Sequence, residues 1–460
     1  MEYTILADFG STYTKLCVFD LNRGELVMTT RHPSTVKTDA AEGLLADLET
    51  AQKRIGADGV NNAQILASSS AAGGLRMVVV GLTPRYSLTA GINVALGSGA
   101  RVIKTYSLLL TEEDIREIEA IQPEILLLCG GVEDGNAEWI IQNAKRLSKS
   151  ARLFSPVIYA GNRQIAHEVR SEFLRMGKEC FVAENVFPSL SELNAGPAGE
   201  VIRNIFMNRI TGMKGLGKVK SLVGEIVMPT PAAVLEGGRL LSEGLPGKRG
   251  LGTSLIFDVG GATTDVYSFV PNSADNVKIV GSPEPESKRT VEGDLGLRSS
   301  AVSLSEAANV ALISAELQTK PDAVLEACRF RSKNEDYIPD SDFERRLDFA
   351  LASCAVHTSA RRHAGKILNA YAKGAREIQE GKNLSDVKNI VGTGGPIINS
   401  IDPEGVMKNA LKKGNEKAVL LPEHSTFYLD REYLLYAVGL ASAINKEGAL
   451  EIALGNIRKV

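Results

Sequence analysis

The chain has 460 residues, 44% hydrophobic and 23% charged, with a formal net charge of −3. That length exceeds one hydrophobic core, so two or more domains are expected. The near-balanced charge gives no reason to expect nucleic acid or an anionic membrane as a partner, and no apolar run reaches the length of a membrane span.

The N-terminus, MEYTILADFG, reads as a strand, with an acid where a secretory leader carries basic residues. The five cysteines (Cys17, Cys129, Cys180, Cys328, Cys354) are scattered and show neither CxxC nor metal-ligand spacing. They are expected as buried free thiols in a reducing cytoplasm. The histidines form no cluster.

The first predicted element is a hairpin, ILADFGSTYTKLCVFD (Ile5–Asp20). An apolar strand reaches Asp8, Gly10, Ser11 and Thr12 make the turn, and Thr14 opens a second strand. SSSAAGG (Ser68–Gly74) reads as a flexible loop. From about Asn61 to Pro188, the apolar runs RMVVVGL, EILLLCGG, SPVIYAG and CFVAENV alternate with helical stretches such as TEEDIREIEAI. Thr111 is the expected N-cap of that helix. The pattern predicts an inserted α/β subdomain with a mostly parallel sheet. Within it, LLLCGGVEDGN (Leu126–Asn136) joins a strand to a helix; it could take a ligand, but plain connection is the favoured reading.

GMKGLGK (Gly212–Lys218) has P-loop spacing, but Val219 stands where the metal-binding Ser/Thr belongs and no strand precedes it. The overlapping KGLGKVK (Lys214–Lys220) reads as a solvated loop. MPTPAAVLEGGRLLSEG (Met228–Gly244) predicts a connecting helix with prolines near its start and then an apolar face.

LIFDVGGATTDVYSF (Leu255–Phe269) repeats the first hairpin 250 residues later: Asp8 falls on Asp258, Gly10 on Gly260, Thr14 on Thr264 and Leu16 on Val266. Matched offsets of acid, glycine and threonine point to two related half-molecules. Glycines at a strand turn let backbone N–H groups approach an anion closely. A carboxylate at each strand end can hold Mg²⁺, usually through water, and Mg²⁺ is bound by a few carboxylates plus substrate phosphates. Two such hairpins facing each other would clamp the phosphates of ATP, at Gly10, Ser11 and Thr12 on one side and Gly260, Gly261, Ala262 and Thr263 on the other, with Asp8 and Asp258 holding the metal shell.

KRTVEGDLGLRSS (Lys288–Ser300) mixes charge and glycine. Its Glu292, Asp294 and Arg298 line the site or meet a partner, unless the stretch is a bare surface loop. Residues from about Pro271 to Lys382 read as mainly helical, chiefly Arg345–Ile378, with His357, Arg361, Arg362 and His363 as a solvated polar face. VKNIVGTGGPIINS (Val387–Ser400) is a strand running into a glycine turn and a helix. REYLLYAVGLASAI (Arg431–Ile444) carries Ala437, Gly439 and Ala441 at close-packing spacing.

These elements, in this order, resemble the actin, sugar-kinase and heat-shock-chaperone ATPase superfamily; both hairpins are especially similar to the chaperones' phosphate motifs. The resemblance implies a two-domain actin-like α/β fold of duplicated, ribonuclease-H-like domains. The first domain would be 1–248 with an insertion at 61–188, and the second 249–430 with a mainly helical insertion at 271–382. Residues 431–460 would return to the first domain. It also implies ATP and Mg²⁺ as ligands, Asp8 and Asp258 as catalytic and metal-shell residues, and Gly392, Gly394 and Gly395 against the adenosine. Lys15 would contact a phosphate, or be a surface lysine. The chaperones carry Glu just before the connector's proline, where this chain has Met228. Slow hydrolysis, or replacement by Glu225 or Glu236, would follow.

RTVEGDLGLR, SSSAAGGLRMVVVGL and CGGVEDGN narrow the resemblance to the glutamate-mutase-associated MutL/GlmL-type proteins over the full length. That implies a cytoplasmic reactivating chaperone that exchanges damaged cobalamin on an adenosylcobalamin-dependent mutase, with the cobalamin on the partner. A small-molecule kinase and an ATP-binding scaffold remain the alternatives. Iron–sulfur activators of the same superfamily are argued against by the unclustered cysteines.

Overall fold

The computed structural model describes residues 2–10, 13–35, 39–70, 75–135, 137–210, 225–272, 277–369 and 377–460. It falls into two compact units. The first comprises Met1–Gly237, Val280–Pro285 and Tyr436–Ala449; the second comprises Gly238–Ile279, Glu286–Leu435 and Leu450–Val460.

In the first unit, β1 (Thr4–Phe9) and β2 (Tyr13–Asp20) form the hairpin, and β3 (Glu25–Pro33) extends it. Helix Ala40–Asn61 follows; the Asp39 carboxylate caps it by accepting from the Ala41 amide at 2.9 Å. Strand β4 (Gln64–Ser69) pairs parallel with β1. Alternation along β1 and β2 sends Ile5, Ala7, Phe9, Leu16 and Val18 into one core with Leu44 and Leu48 of the helix. Each of these Ile, Leu, Val and Phe side chains contributes about 1.5–3 kcal/mol on burial, and Ala7 less.

The insertion follows β4. Strands β5 (Arg76–Gly81), β6 (Arg101–Ser107), β7 (Ile125–Leu128), β8 (Val157–Tyr159) and β9 (Cys180–Val182) form a five-stranded sheet in the order β6-β5-β7-β8-β9. Every pair in it is parallel, which is the doubly wound order of flavodoxin-like sheets. Thr111 caps helix Glu112–Ile121, closing a reciprocal capping box with Asp114. Helix Gly196–Ile210 leads back towards β10 (Glu225–Pro229), which pairs parallel with β4. Helix Thr230–Glu243 begins directly after it, so Met228 is the penultimate residue of a strand rather than the start of the helix.

In the second unit, a two-residue ribbon, β11 (Gly244–Leu245) and β12 (Lys248–Arg249), precedes the second hairpin, β13 (Ser254–Val259) and β14 (Thr264–Phe269). Strands β15 (Lys278–Val280) and β16 (Ser287–Glu292) follow, and β16 pairs antiparallel with β14. Four helices come next: Ala301–Ala307, Val310–Glu316, Pro321–Lys333 and Asp342–His363. The last stops at His363, well short of the helical stretch the sequence predicts. Gly365 then packs on Gly381, and β17 (Lys366–Ile367) pairs with β18 (Ile378–Glu380), so tertiary pairing overrides local propensity. Strands β19 (Asn389–Thr393), β20 (Thr426–Leu429) and β21 (Arg458–Lys459) complete the core sheet.

The two core sheets have one topology. The first runs β3-β2-β1-β4-β10; the second runs β16-β14-β13-β19-β20, with β21 added beyond β20. In each, an antiparallel hairpin and a third strand lie on one side, and parallel strands on the other. The fold class is therefore the expected duplicated, actin-like α/β arrangement. The chain end divides: Tyr436–Ala449 belongs to the first unit, whereas Leu450–Val460 belongs to the second and supplies β21. No helix among the described residues is long and apolar enough to cross a membrane.

Candidate nucleotide site

The two hairpin turns close by the same bond. Gly10 N–H donates to Tyr13 O at 3.0 Å, and Gly260 N–H donates to Thr263 O at 2.9 Å. The acids lie at matched register: Asp8 stands opposite Lys15, and Asp258 opposite Asp265. Facing residues of an antiparallel pair share one side of the sheet, so each acid meets its cross-strand partner on the face away from the main core.

In the first unit, parallel strands bring three distant residues to one point. Ser68, the penultimate residue of β4, donates to Asp8 Oδ1 at 3.1 Å, and Thr230, just after β10, donates to the same oxygen. Neither hydroxyl is on Oδ2. Asp8 is buried, and burial pushes its carboxyl above the ordinary range; the Lys15 charge and the two hydroxyls oppose that shift. Ser34 Oγ donates to Gly10 O at 2.7 Å, bracing the turn from β3's end. Ser11 and Thr12 lie outside the described residues, as do the Gly212–Lys218 stretch and Ala71–Gly74. Ser68 and Ser69, read from composition as loop, are buried strand residues.

The second hairpin is held by the segment that follows β16. Leu297 N–H donates to Gly260 O at 3.1 Å, Arg298 N–H to Gly261 O at 2.7 Å, and Ser300 Oγ to Ala262 O at 2.8 Å. Thr264 Oγ1 donates to Leu295 O at 2.7 Å. A Cβ on Gly296 would stand 2.3 Å from the Ala262 carbonyl carbon, so only glycine permits this approach. The Lys288–Ser300 stretch is thus a brace on the hairpin tip. Its charges are all engaged. Arg362 bonds Glu292 at 2.7 Å and Asp294 at 2.8 and 2.9 Å, and Arg298 bonds Asp348 at 2.8 Å. Buried Arg331 shares Asp348 and also pairs with Glu344.

Beside Asp258, β19 delivers the glycine turn. Thr393 pairs with Asp258 in register. Gly394 has φ +86°, and a Cβ there would lie 2.2 Å from Val259 O and 2.8 Å from Asp258 Oδ1. Gly395 is open: the nearest atom to a Cβ would be Tyr433 Oη at 3.6 Å. Gly392 is different. It sits inside β19 against Ile397, Met407 and Leu429, so it is a packing glycine. The buried Asp430, following β20, accepts from the Leu434 and Leu435 amides at 2.9 and 3.2 Å.

The family model described as MutL protein matches residues 4–456. Protein MutL of Clostridium tetanomorphum is 38% identical over 463 residues, covering 100% of both chains. The chain belongs to the MutL protein family. Solved structures similar to this MutL chain include component A of (R)-2-hydroxyglutaryl-CoA dehydratase from Acidaminococcus fermentans, at 10% identity and TM-score 0.30, covering 99% of this chain and 98% of that one. Xylulose kinase from Bifidobacterium adolescentis is another, at 12% identity and TM-score 0.33, covering 99% and 93%.

Within this MutL chain, the structure groups Asp8 and Lys15 with Ser68 and Thr230. It groups Asp258 with Gly260–Thr263, Gly394 and Gly395. Arg289 is the largest omission from sequence reasoning. Its Nε and Nη2 donate to Asp265 Oδ1 at 2.9 and 2.7 Å, and Thr263 Oγ1 donates to Asp265 Oδ2 at 3.2 Å. Its signal was an Arg inside the strand-like SKRTVE, where a buried charge needs a partner. The expected solvated face of helix Asp342–His363 is in fact engaged. Arg361 bonds both carboxylate oxygens of Glu416 at 2.7 Å. His363 is buried between Thr290 and Ser268, each at 2.8 Å, and burial with the nearby Lys288 and Lys382 charges pushes its pKa well below the usual value. Of the proposed Glu replacements, Glu236 lies in helix Thr230–Glu243, and the Glu225 side chain is outside the described residues.

Proposed function

We propose that this MutL family member binds Mg·ATP through its two hairpins and uses hydrolysis to reactivate an adenosylcobalamin-dependent mutase. The observation that carries the nucleotide reading is the repeated constellation: one sheet order, one turn bond and one acid register, built twice. Independent hairpins have no reason to share all three.

The residues fit the ligands. Asp8 takes both hydroxyls on Oδ1, so Oδ2 is available to a water of the metal shell. Half-buried Asp258 is the matching acid. Mg²⁺ retains several waters and takes the rest of its shell from few carboxylates and the phosphates. The turn amides after Gly260, whose own N–H closes the turn, suit phosphate oxygens, and the room at Gly395 suits the nucleoside. Bound metal would neutralise charge developing on the transferred phosphoryl group. Ser68 and Thr230 orient Asp8; the Leu295–Ser300 brace holds the second turn still. Slow turnover follows from Met228, an apolar side chain at a position where the superfamily carries a water-orienting Glu.

The mutase reading rests on family membership. It is tested by mixing the pure protein, ATP, Mg²⁺ and fresh adenosylcobalamin with glutamate mutase inactivated by a damaged cobalamin. Recovery of mutase activity that requires ATP is the expected result. ATP turnover without recovery would turn the reading towards a kinase or a different client. Absence of both binding and turnover would overturn the nucleotide site itself.

A further inference from the structure

The inserted sheet ends at β9 (Cys180–Val182), whose one strand neighbour among the described residues is β8. Glu179 O and Ala183 N–H bond to β8 residues, so by alternation the N–H and C=O groups of Cys180 and Val182 point to the outer edge. Natural proteins blunt such an edge with proline, charge or a bulge. This one presents Cys, Phe and Val. Phe181 and Val182 are 40% and 42% exposed, and Phe154, Leu174 and Met176 are 79%, 53% and 52% exposed. Those three lie at the amino end of the strand. Leu174 and Met176 lead into it, and Lys178 Nζ bonds Ser150 O and Leu153 O beside Phe154. Large apolar side chains left exposed along and beside an unpaired strand edge mark an interaction site.

We propose that β9 is the seam of a symmetric dimer, in which two copies pair antiparallel about a two-fold axis at Phe181. The register follows from the strand itself. Outward amides belong to residues 180 and 182, so a two-fold must fall on a residue rather than between two. Centred on Cys180 it would set Glu179 against Phe181; centred on Val182 it would set Cys180 against Glu184. Centred on Phe181, the sequence KECFVAE (Lys178–Glu184) is self-complementary. Cys180 and Val182 of opposite copies exchange backbone hydrogen bonds, Phe181 meets Phe181, and Lys178 faces Glu184 at both ends. Lys178 has the proton to spare, since an ammonium carries three donors and two are used. Glu184 accepts from Asn194 on Oε2, leaving Oε1 for the lysine. The amino end of each strand then runs beside the carboxyl end of the other, covering the flanking apolar residues. Two five-stranded sheets become one continuous sheet.

The test is sedimentation of the full chain over a range of concentrations, with two variants and a cross-link. Wild type is expected as a dimer. Phe181→Asp places two carboxylates face to face and should raise the dimer dissociation constant at least about 100-fold. Val182→Pro removes an outward N–H that the monomer does not use and should weaken the dimer while leaving the circular dichroism unchanged. Phe181→Cys should form an intermolecular disulfide on mild oxidation, because facing non-hydrogen-bonded residues lie about 4.5 Å apart at Cα. Wild type sedimenting as a monomer throughout would overturn the proposal and give the patch to another protein. A dimer that survives both Phe181→Asp and Val182→Pro, or that forms no 181–181 disulfide, would place the seam elsewhere and overturn it equally.

Discussion

The two hairpins share a backbone and differ in how their acids are compensated. Asp8 is buried, faces a lysine across the hairpin, and takes hydroxyls from Ser68 of β4 and from Thr230 at the start of the helix after β10. Asp258 is half-buried and faces a second acid, Asp265, whose charge is answered by Arg289 from the next strand. The described residues beside the two turns differ as well. The second is tied by four bonds from the Leu295–Ser300 segment, whereas at the first the matched Thr14 hydroxyl is buried without a hydrogen-bond partner among the described residues. Duplication preserved the turn and the acid, and the side-chain surroundings diverged. The first hairpin resembles a tuned carboxylate, the second a fixed frame.

The largest effect expected from breaking this comparison is on turnover. If the two acids hold the metal shell as proposed, Asp8→Ala and Asp258→Ala should each lower ATP hydrolysis by about 100-fold or more. Circular dichroism should stay native in both. Wild-type rates in either variant would remove that hairpin from the site.

Next comes stability. Arg289 and Asp265 side chains are 4% and 14% exposed, so Arg289→Ala leaves an uncompensated carboxylate and should cost about 3 kcal/mol in urea unfolding. Lys15→Ala in the first hairpin should cost at most about 1 kcal/mol, since Asp8 keeps its two hydroxyls. Equal losses would show that the two acids are compensated alike.

A third pair of variants separates frame from ligand contact. Gly394→Ala forces a Cβ against Val259 O at positive φ and should destabilise by about 1–3 kcal/mol. Gly395→Ala meets no atom closer than 3.6 Å; it should leave the melting temperature alone and weaken ATP binding only. A Gly395→Ala protein with unchanged ATP affinity would take the nucleoside away from that turn.

These contrasts also mark what the sequence makes legible. Asp8, Gly10, Asp258 and Gly260 are readable because hairpin chemistry is local: acid, glycine and threonine fall within a few residues of one another. Gly394 is readable for the same reason. Ser68 and Thr230 reach Asp8 across 60 and 222 positions, through the strand order β10-β4-β1. No local pattern reports that. Arg361 and His363 were misjudged because helix Asp342–His363 is surrounded on several sides, so no single apolar stripe distinguishes buried from exposed positions.

The smallest effect is the most specific to Asp8. Burial raises its folded-state carboxyl pKa above the ordinary 3.8, so the folded protein holds that proton more tightly than the unfolded chain. The stabilisation this gives is fully present below the unfolded value and is lost as pH rises through the folded one. Asp8→Asn keeps the shape and cannot ionise. The melting temperature of wild type minus that of Asp8→Asn should therefore fall steadily as pH climbs from the acid range towards neutrality. Other titrating groups are common to both proteins and cancel in the difference. At neutral pH the variant should match or exceed wild type in stability while hydrolysing ATP poorly, which is the expected trade at a site where a charge is kept buried for use. A difference that instead grows with pH would mean that Lys15 and the two hydroxyls outweigh burial, and that Asp8 is a stabilising ion pair rather than a tuned metal-shell acid.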